Sequence, residues 1–414
     1  MARITPHEAL QRVSSAQQQG MRLAPAKNKK IEVTEFVRDV DENVYLFRKG
    51  EGSLVLPADD ELTPILGESD SGDLTIELPP PYEDWVEMYA KEVAIHQNTP
   101  LLIEEGAEKT TVDGDKPTAA AEPRKTIPYM VKTKWSQNYP YNAHLDFGDG
   151  RCLVGCPAVM IGQIMHYWGY KGYRRGCTAT TAYSYKGEPY KVAALPPITV
   201  FDYAHLTTSK PKTAEEIEAV ATMLEYIAKA VKSCFGLDAT WSYTDVYPPL
   251  MRDRLRLGSG IKEVNTLELS EAAFAEKVYQ ELALGKPVGM SGVNDSGSGS
   301  HAFVCDGYNA ATDKFHFNWG WGGYYDGYYA MTALKLTSTI NYNIRKRAVI
   351  GIQPEYRLGD ANRDGNVNIT DAMVAFNHNL KGTYDEAADI NSDGKVTVAD
   401  GQRIVNHILH KDTL

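Results

Sequence analysis

Residues 155–168 read GCPAVMIGQIMHYW, a cysteine between a glycine and a proline directly before an apolar helical run. Pro157 lacks a backbone N–H and has a preset φ, so it suits the first turn of a helix and predicts Cys156 as the N-cap. A thiol at a helix N-terminus has a lowered pKa, because unpaired N–H groups and the helix dipole favour the thiolate. Cys156 is therefore a candidate nucleophile, although most free cysteines are simply small buried residues.

A nucleophilic thiol needs a general base, and a second stretch supplies a candidate. His301 follows a glycine- and serine-rich loop in SGSGSHAFVCDGYN and begins an apolar strand pattern. A flexible loop that leads into a strand exposes one imidazole while it anchors the residues that follow. His166, within the helix that Cys156 begins, fits a packed or surface position better, and His316 adjoins the next strand.

The region from about 127 to 355 resembles the streptopain family of papain-like cysteine peptidases. The matching segments, in the family's order, are WSQNYPYN (135–142), GCPAVMIGQIMHYW (155–168), PVGMSG (287–292), SHAFVCDGY (300–308) and FNWGWGGYYDGYY (317–329). The resemblance implies an α+β, papain-like catalytic domain in which Cys156 is the nucleophile, His301 the base and Gln137 an oxyanion donor. The implied chemistry is peptide-bond hydrolysis through a thiolate–imidazolium pair.

The group that orients His301 stays open between two neighbours in the sequence. Asn318 and Trp319 are the candidates, and alternation along a strand lets only one of them face the imidazole. An amide fits papain-like chemistry, and a tryptophan ring edge packed on the imidazole is the alternative. Two positions depart from the family pattern without removing a catalytic atom. Pro157 stands where the family often has a residue other than proline, and Ser300 stands where it often has a glycine.

Residues 1–103 predict an N-terminal α+β domain that resembles the streptopain propeptide. A helical pattern precedes two strand-like runs, VYLF and SLVLP, on either side of the turn-rich RKGEG, and an ADD…PILG turn follows. Trp85, Met88, Tyr89 and Val93 then repeat at helical spacing, and the segment is expected to form a core of its own. The resemblance implies an inhibitory prodomain that acts in cis, and the alternative is an accessory domain.

Residues 104–126 are polar, small and proline-containing, with almost nothing to bury, and they predict an exposed, cleavable linker. The Arg124–Lys125 pair is its most obvious cleavage point. The order of segments therefore predicts a latent precursor that matures by cleavage between about residues 104 and 127, and leaves a catalytic domain over residues 127–355.

Two loops that repeat 29 residues apart, DANRDGNVNITD (360–371) and DINSDGKVTVAD (389–400), predict calcium sites. Each runs Asp-x-Asn-x-Asp-Gly and closes with Asp at position 12, and calcium takes six to eight such oxygen ligands. The predicted ligands of two Ca²⁺ ions are Asp360, Asn362, Asp364, Asn366, Asn368 and Asp371 in the first loop, and Asp389, Asn391, Asp393, Lys395, Thr397 and Asp400 in the second. Asn366 and Lys395 are expected to contribute backbone carbonyls.

Only an exit helix is evident after each loop, and this half-hand duplication over residues 359–411 resembles a dockerin. The resemblance implies a small all-α, calcium-binding domain that binds a cohesin domain of a scaffoldin. Ile369, Thr370, Val398 and Ala399 are the implied recognition surface. So small a core is expected to need its metals. The alternative is a calcium clamp that only stabilises a secreted enzyme.

Composition limits the classes of function and the compartment. The 414 residues are 43% hydrophobic and 23% charged, which fits a globular protein of two or three domains. A net charge of −11 argues against a nucleic-acid partner, and no apolar run approaches the roughly 20 residues of a membrane helix. Five cysteines at scattered spacing predict free thiols.

The N-terminal stretch MARITPHEALQRV has no signal-peptide core, so either the protein is intracellular or a start methionine has replaced a leader. Loops of this calcium-binding kind fill at extracellular calcium levels, and they favour a secreted protein at the cell surface or on a cellulosome.

Together these features predict a secreted cysteine endopeptidase that is made as a zymogen and attached to a scaffold by its dockerin. The alternative is a catalytically inactive, scaffold-bound interaction protein, and a third possibility is an acyl-transfer enzyme on the same fold. Intact Cys156, His301 and Gln137 favour the first, because an inactive site is free to lose them. The expected partners are protein or peptide substrates, a cohesin and the chain's own prodomain.

Overall fold

The structure is a computed structural model in which helices and antiparallel strands are mixed, so the predicted α+β class is confirmed. It describes residues 3–18, 33–72, 74, 78–98, 123–147, 150–171, 173–174, 176–185, 191–243, 246–293, 300–333, 346–354, 358–362, 366–385, 387–391 and 393–411. Of the predicted linker 104–126, only residues 123–126 fall within these ranges. Within these ranges, no helix combines the length and apolar character that crossing a bilayer requires.

The N-terminal segment, residues 3–98, contains two helices and four strands. They are α1 (Pro6–Gln18), β1 (Val33–Val40), β2 (Val44–Lys49), β3 (Gly52–Pro57), β4 (Gly67–Ser69) and α2 (Pro80–Asn98). β2 and β3 pair as the hairpin that VYLF and SLVLP predict. α2 begins within the proline cluster, because the first turn of a helix has no use for the N–H groups that proline lacks.

The central segment, residues 123–354, contains the following elements. They are α3 (Cys156–Tyr170), β5 (Tyr183–Ser184), β6 (Lys191–Val192), α4 (Ala214–Ala230), α5 (Tyr247–Pro249), a π-helical turn (Leu250–Arg254), β7 (Lys262–Asn265), α6 (Glu271–Ala283), β8 (Val288–Val293), β9 (Ser300–Asn309), β10 (Lys314–Asn318), β11 (Gly327–Tyr329) and β12 (Lys346–Ile350).

The C-terminal segment, residues 358–411, contains α7 (Ile369–Lys381) and α8 (Val398–Ile408), the two exit helices that the loop pattern predicts. Asn368 and Thr397 cap these helices, and each cap is completed by the aspartate three residues later, Asp371 or Asp400. The core between the helices is small and rich in alanine: Ala361, Ala372, Ala375, Ala388, Ile390, Val396 and Ile404.

Ten strands of the described chain form one antiparallel sheet that runs through the N-terminal and central segments, in the order β1-β2-β3-β4-β11-β10-β9-β8-β12-β7. At the junction, Gly327 of β11 pairs with Ser69 of β4, and Tyr329 pairs with Gly67. A Cβ on Gly327 would lie 2.1 Å from the carbonyl oxygen of Glu68, so this close pairing requires glycine. The N-terminal segment is thus hydrogen bonded into the central sheet.

α2 packs on this continuous sheet and shares a core with the central segment. Trp85 meets Phe303 and Phe317 edge-on, with ring centroids 5.4 and 5.0 Å apart, and Tyr82 stacks on Tyr325 at 4.6 Å. The prediction that the first hundred residues form a core of their own is therefore only half right. α1 packs on one side of the N-terminal strands as a separate core, but the other side continues the apolar face of the central sheet.

A buried ion-pair network also joins α2 to the sheet. The Lys346 ammonium on β12 donates to Glu92 of α2 at 2.7 Å and to Glu271 of α6 at 2.9 Å. Glu92 also accepts from the Thr332 hydroxyl and the Ala333 backbone N–H. Lys346 and Glu92 are fully buried, and charges taken out of water in this way depend on their partners.

We predict that Glu92→Gln destabilises the intact chain by about 3 kcal/mol, because buried Lys346 keeps only Glu271 to balance its charge. The measurement is the free energy of unfolding in denaturant. As a control, Glu83→Gln on the same helix removes an ion pair with Arg38 that is partly exposed on both sides, and it should cost less than about 1 kcal/mol. Equal losses in the two variants would contradict this account.

Candidate active site

Cys156 lies where an extended segment turns into α3. Gly155 is the N-cap, with φ 91°, and Cys156 is the first helical residue, so the predicted N-cap is wrong by one position. The reason is conformational, since glycine adopts this positive φ at low cost and the helix begins directly after it. A Cβ at Gly155 would also lie 3.0 Å from the Thr240 side chain. The sulfur still belongs to the first turn of the helix.

His301 lies near the start of β9 and reaches across to this helix. Its Nδ1 is 3.7 Å from Cys156 Sγ, although the two residues are 145 positions apart. The backbone N–H of Ala302 donates to the same sulfur at 3.3 Å. The structure therefore brings together the two residues that the sequence predicts as nucleophile and base, within reach of proton transfer.

Gln137 lies beside the segment that leads into α3. Its backbone carbonyl accepts a hydrogen bond from the N–H of Val154 at 3.1 Å, two residues before Cys156, and its side chain is buried. Within the described ranges, the side-chain amide makes no hydrogen bond. An oxyanion donor needs such a place next to the nucleophile, and the role itself stays a prediction.

Asn318 and Trp319 are both buried, and among the described residues neither makes a hydrogen bond or ring contact with His301. The Asn318 amide nitrogen donates to a backbone carbonyl at 2.8 Å, and its oxygen accepts from Gln163 at 3.1 Å. The indole N–H of Trp319 donates to the Tyr325 carbonyl at 3.0 Å. Their polar groups point to other partners, and an orienting role for either stays a prediction.

The carboxylate that faces His301 belongs to Asp84 of α2, a residue that no sequence motif marks. Asp84 Oδ2 is 3.6 Å from His301 Nε2, and the two side chains are 24% and 28% exposed. The sole sequence signal for this contact is the position of Asp84 within a helix of the predicted inhibitory prodomain. Packing of α2 on the sheet is what brings this carboxylate to the imidazole.

Burial determines the protonation states of these groups. It raises the pKa of the Cys156 thiol to about 11 and lowers the pKa of His301 to about 4. Burial, with the charges of Glu87 and Glu83, also raises the pKa of Asp84 to about 7. The acidification of Cys156 expected from the helix terminus is therefore outweighed by desolvation, and the proton stays on sulfur while α2 is in place.

All five cysteines are free and buried, as their scattered spacing predicts: Cys152, Cys156, Cys177, Cys234 and Cys305. Of these, Cys156 is the one placed against His301.

The aspartates that begin and close each predicted calcium loop, Asp360, Asp371, Asp389 and Asp400, are buried. The carboxylates of Asp371, Asp389 and Asp400 accept backbone N–H groups of their own loops, for example from Asn362 to Asp371 at 2.9 Å and from Ile390 to Asp400 at 3.0 Å. Buried carboxylates in so small a core are costly without a cation, and an all-oxygen donor set fits a hard ion such as calcium.

The other predicted ligands lie in the same loops. Asp393 accepts from the backbone N–H of Lys395 at 3.0 Å and from the Asn391 amide at 2.8 Å. Asn368 and Thr397 act as helix caps, Asn366 lies within the first loop, and Asp364 lies outside the described residues. Among the described residues, no three His, Cys, Asp or Glu side chains are arranged to hold a metal ion.

Comparison with known proteins identifies two regions of the chain. Residues 135–329 match the model of the Peptidase C10 family, and residues 358–409 match that of the dockerin type I domain. Over 342 residues the chain is 27% identical to the thiol protease/hemagglutinin PrtT of Porphyromonas gingivalis. The matched region covers 75% of this chain and 37% of that protein. Over 338 residues it is 23% identical to streptopain of Streptococcus pyogenes, and this match covers 75% of this chain and 81% of streptopain.

The fold resembles a solved fragment of prointerpain A from Prevotella intermedia. The TM-score is 0.61 at 24% identity, over 78% of this chain and 98% of the fragment. At this identity the likeness concerns the fold alone, and it agrees with the predicted α+β architecture of the N-terminal and central segments.

We predict that iodoacetamide alkylates Cys156 at least about tenfold more slowly in the intact chain than in a chain cut within residues 104–122 and separated from the N-terminal segment. A neutral thiol is a poor nucleophile, and removal of α2 relieves the desolvation that keeps it neutral. Peptide mapping by mass spectrometry at about pH 7.5 gives the rates. Cys177 is buried in the central segment, where its backbone pairs with Ile198, and it serves as the internal control. Equal rates at Cys156 in the two forms would refute this explanation of latency.

Proposed function

Since residues 135–329 match the Peptidase C10 family and residues 358–409 match the dockerin type I domain, we propose that this chain is the precursor of a cysteine endopeptidase that a scaffold protein holds through the dockerin. The contact between Cys156 and His301 carries the proposal. The substrates are proteins or peptides, and the partner of the dockerin is a cohesin domain.

In the proposed reaction, His301 takes the thiol proton of Cys156 and the sulfur attacks the carbonyl carbon of a peptide bond. Two donors stabilise the negative charge that develops on the carbonyl oxygen, namely the backbone N–H of Cys156 and the side-chain amide of Gln137. The imidazolium then gives its proton to the leaving amine. Water attacks the resulting thioester with His301 as base, and the acid product leaves as the thiol is restored.

We propose that α2 keeps the precursor latent by two effects that act together. It adds to the burial of the Cys156–His301 contact, and burial disfavours the charged pair that starts catalysis. It also places Asp84 against Nε2 of His301, the ring nitrogen that faces away from the sulfur, so α2 contacts the imidazole directly. The β4–β11 pairing and the buried Glu92 carboxylate hold α2 in this position.

Maturation is proposed to require cleavage of the linker before residue 123. Arg124 binds Glu276 at 2.9 Å and lies over the ring of Tyr279 at 5.1 Å, and the N–H of Lys125 donates to the Tyr279 hydroxyl at 2.7 Å. A protease must draw its target bond into an extended conformation in a cleft, and these contacts hold the Arg124–Lys125 bond against α6. The pair that looks most cleavable in the sequence is thus a poor site in the fold.

A type I dockerin binds calcium, and we propose one ion in each loop. The closing aspartates, Asp371 and Asp400, would hold the ions together with Asp360 and Asp389 at position 1 of each loop. Each closing aspartate is also part of a helix cap, so the ion and the helix start would share one carboxylate. This dependence on calcium, together with the protease relatives, supports an extracellular or cell-surface location on a cellulosome-like scaffold.

The activity is tested with the chain cut within residues 104–122 and freed from the N-terminal segment. We expect it to hydrolyse casein, and we expect a thiol-directed epoxide to abolish hydrolysis while it forms an adduct at Cys156. Cys156→Ala should be folded and inactive. Absence of hydrolysis by the folded, released chain would instead favour the inactive interaction protein, and inhibition by an adduct at another cysteine would overturn the assignment of the nucleophile.

We predict that Asp84→Asn makes release of the N-terminal segment dependent on pH. In the wild type, Asp84 and His301 together hold one proton between about pH 4 and 7 when α2 is in place. After release, with ordinary pKa values, they also hold one proton between about pH 4 and 6.5. Release therefore takes up or gives off almost no protons in this range, and dissociation of the N-terminal segment from the wild type should hardly depend on pH.

In Asp84→Asn, only the lowered pKa of His301 remains, so the bound form gains stability as pH rises from about 4 to 6.5 and loses it as pH falls. Release should become easier with acid, by up to about tenfold per pH unit. The measurement uses chains with Cys156→Ala, cut in the linker by an added protease, and follows dissociation of the N-terminal segment. Adding His301→Asn should flatten the profile again, and a flat profile for Asp84→Asn alone would contradict the proton balance.

We predict that a calcium chelator unfolds residues 358–411 and leaves the central segment folded, because the alanine-rich core alone does not stabilise the small domain. Calorimetry should show one transition that moves to lower temperature by roughly ten degrees or more without calcium, and one that does not move. Asp371→Asn and Asp400→Asn each alter one loop, and each should reduce part of the shift in transition temperature that calcium causes. Two transitions that are both insensitive to chelation would exclude the proposed sites.

A further inference from the structure

Gln163 is a fully buried glutamine on α3, seven residues after Cys156. Seven residues are close to two helical turns, so both side chains leave the same side of the helix. The surrounding helix is apolar, with buried Ile161 and Ile164 on either side. A buried amide in such a place is tolerated only when its donors and acceptor are hydrogen bonded.

The hydrogen bonds of Gln163 reach two other segments of the central domain. Its oxygen accepts from the Thr133 hydroxyl at 2.9 Å and, at 3.4 Å, from the backbone N–H of Trp135. Its nitrogen donates to the Asn318 oxygen at 3.1 Å. The Asn318 nitrogen in turn donates to the Thr133 carbonyl at 2.8 Å. These bonds close a ring that links residues 133–135, α3 and the end of β10.

Asn318 fixes the orientation of the Gln163 amide. The Asn318 oxygen also accepts from the backbone N–H of Gly320 at 3.0 Å, so it is an acceptor, and the Gln163 atom that faces it must be the NH₂ group. The Gln163 oxygen is thereby directed at Thr133 and Trp135. Gly320 turns with φ 69°, and a Cβ there would lie 3.0 Å from Val159, so this ring of polar groups packs directly on α3.

The segment that Gln163 holds is the one that carries Gln137. Trp135 precedes Gln137 by two residues, and its ring is buried, with the indole N–H donating to the Thr207 carbonyl at 2.8 Å. On its other side, Gln137 is tied to Val154 through its carbonyl. The oxyanion-donor segment is therefore attached to the nucleophile helix at two places, and Gln163 is the attachment within α3 itself.

We propose that Gln163 is a positioning residue that sets the place of the Gln137 amide relative to Cys156. It acts through Thr133 and Trp135, with Asn318 as the group that orients it, and among the described residues no hydrogen bond joins it to Cys156 or His301. This inference rests on the proposed peptidase activity. It also gives buried Asn318 a structural role that differs from orienting His301.

The test compares kcat and KM for a peptide substrate in the full chain after linker cleavage and release of the N-terminal segment. Gln163→Met keeps the size of the side chain and removes its hydrogen bonds. We expect kcat to fall about tenfold or more with KM nearly unchanged, because a displaced oxyanion donor is lost mainly in the transition state. The rate of Cys156 alkylation should stay within about twofold, since the thiol and imidazole are not displaced.

Two further comparisons separate positioning from general stability. In a Gln137→Ala background, Gln163→Met should cause little additional loss of kcat, because the group it positions is already absent. Thr133→Val, which removes the hydroxyl at similar volume, should show part of the Gln163→Met loss, and Thr133→Ser, which keeps the hydroxyl, should not. The Thr133 pair remains informative even if Gln163→Met fails to fold.

Three results would overturn the inference. Losses that multiply in the Gln137→Ala background, or a fall of Cys156 alkylation in parallel with kcat, would make Gln163 a structural residue only. Full activity of Gln163→Met or Thr133→Val would show that the hydrogen bonds do not matter. A wild-type chain that alkylates at Cys156 but hydrolyses nothing would refute the proposed function, and this inference with it.

Discussion

Burial of the contact between Cys156 and His301 governs the charges that these two side chains carry. A sulfur and an imidazole nitrogen 3.7 Å apart form a charged pair only where solvent or protein dipoles stabilise both charges. With α2 in place the site offers too little of either, and the thiol pKa lies far above that of the imidazole. The same two residues are therefore inert or reactive according to what covers them.

The N-terminal segment, whose helix α2 lies over the site, folds together with the central segment. β4 continues the central sheet through β11, α2 shares the apolar core beneath Trp319, and Glu92 shares the charge of Lys346 with Glu271. A continuous sheet and a shared core make the N-terminal segment costly to remove without a cut in the chain. Since Asp84 lies on the same helix, its contact with the His301 imidazole and the contacts that anchor the segment are made and lost together.

Several buried groups of the central segment hold the residues of the site in place. Gly155 begins the helix at Cys156, the Ala302 N–H meets the Cys156 sulfur, and Gln163 ties residues 133–135, just before Gln137, to the same helix. The C-terminal segment is stabilised differently, because its core consists mainly of alanine and its buried groups include carboxylates such as Asp371. The proposed calcium ligation there would replace the apolar burial that stabilises the rest of the chain.

The sequence by itself determined the features whose signals are local: a helix that starts within one residue of the predicted position at Cys156, a hairpin around RKGEG, and two acidic loops that each lead into a helix. It also marked His301 as a candidate, because a glycine-rich loop before a strand is itself a local pattern. Only the tertiary structure decided that Asp84 faces His301 and that Gln163 meets Asn318, since no spacing or motif encodes a contact between distant segments. It also decided the charge of the thiol, because a helix dipole is a local property but desolvation depends on everything packed around the sulfur.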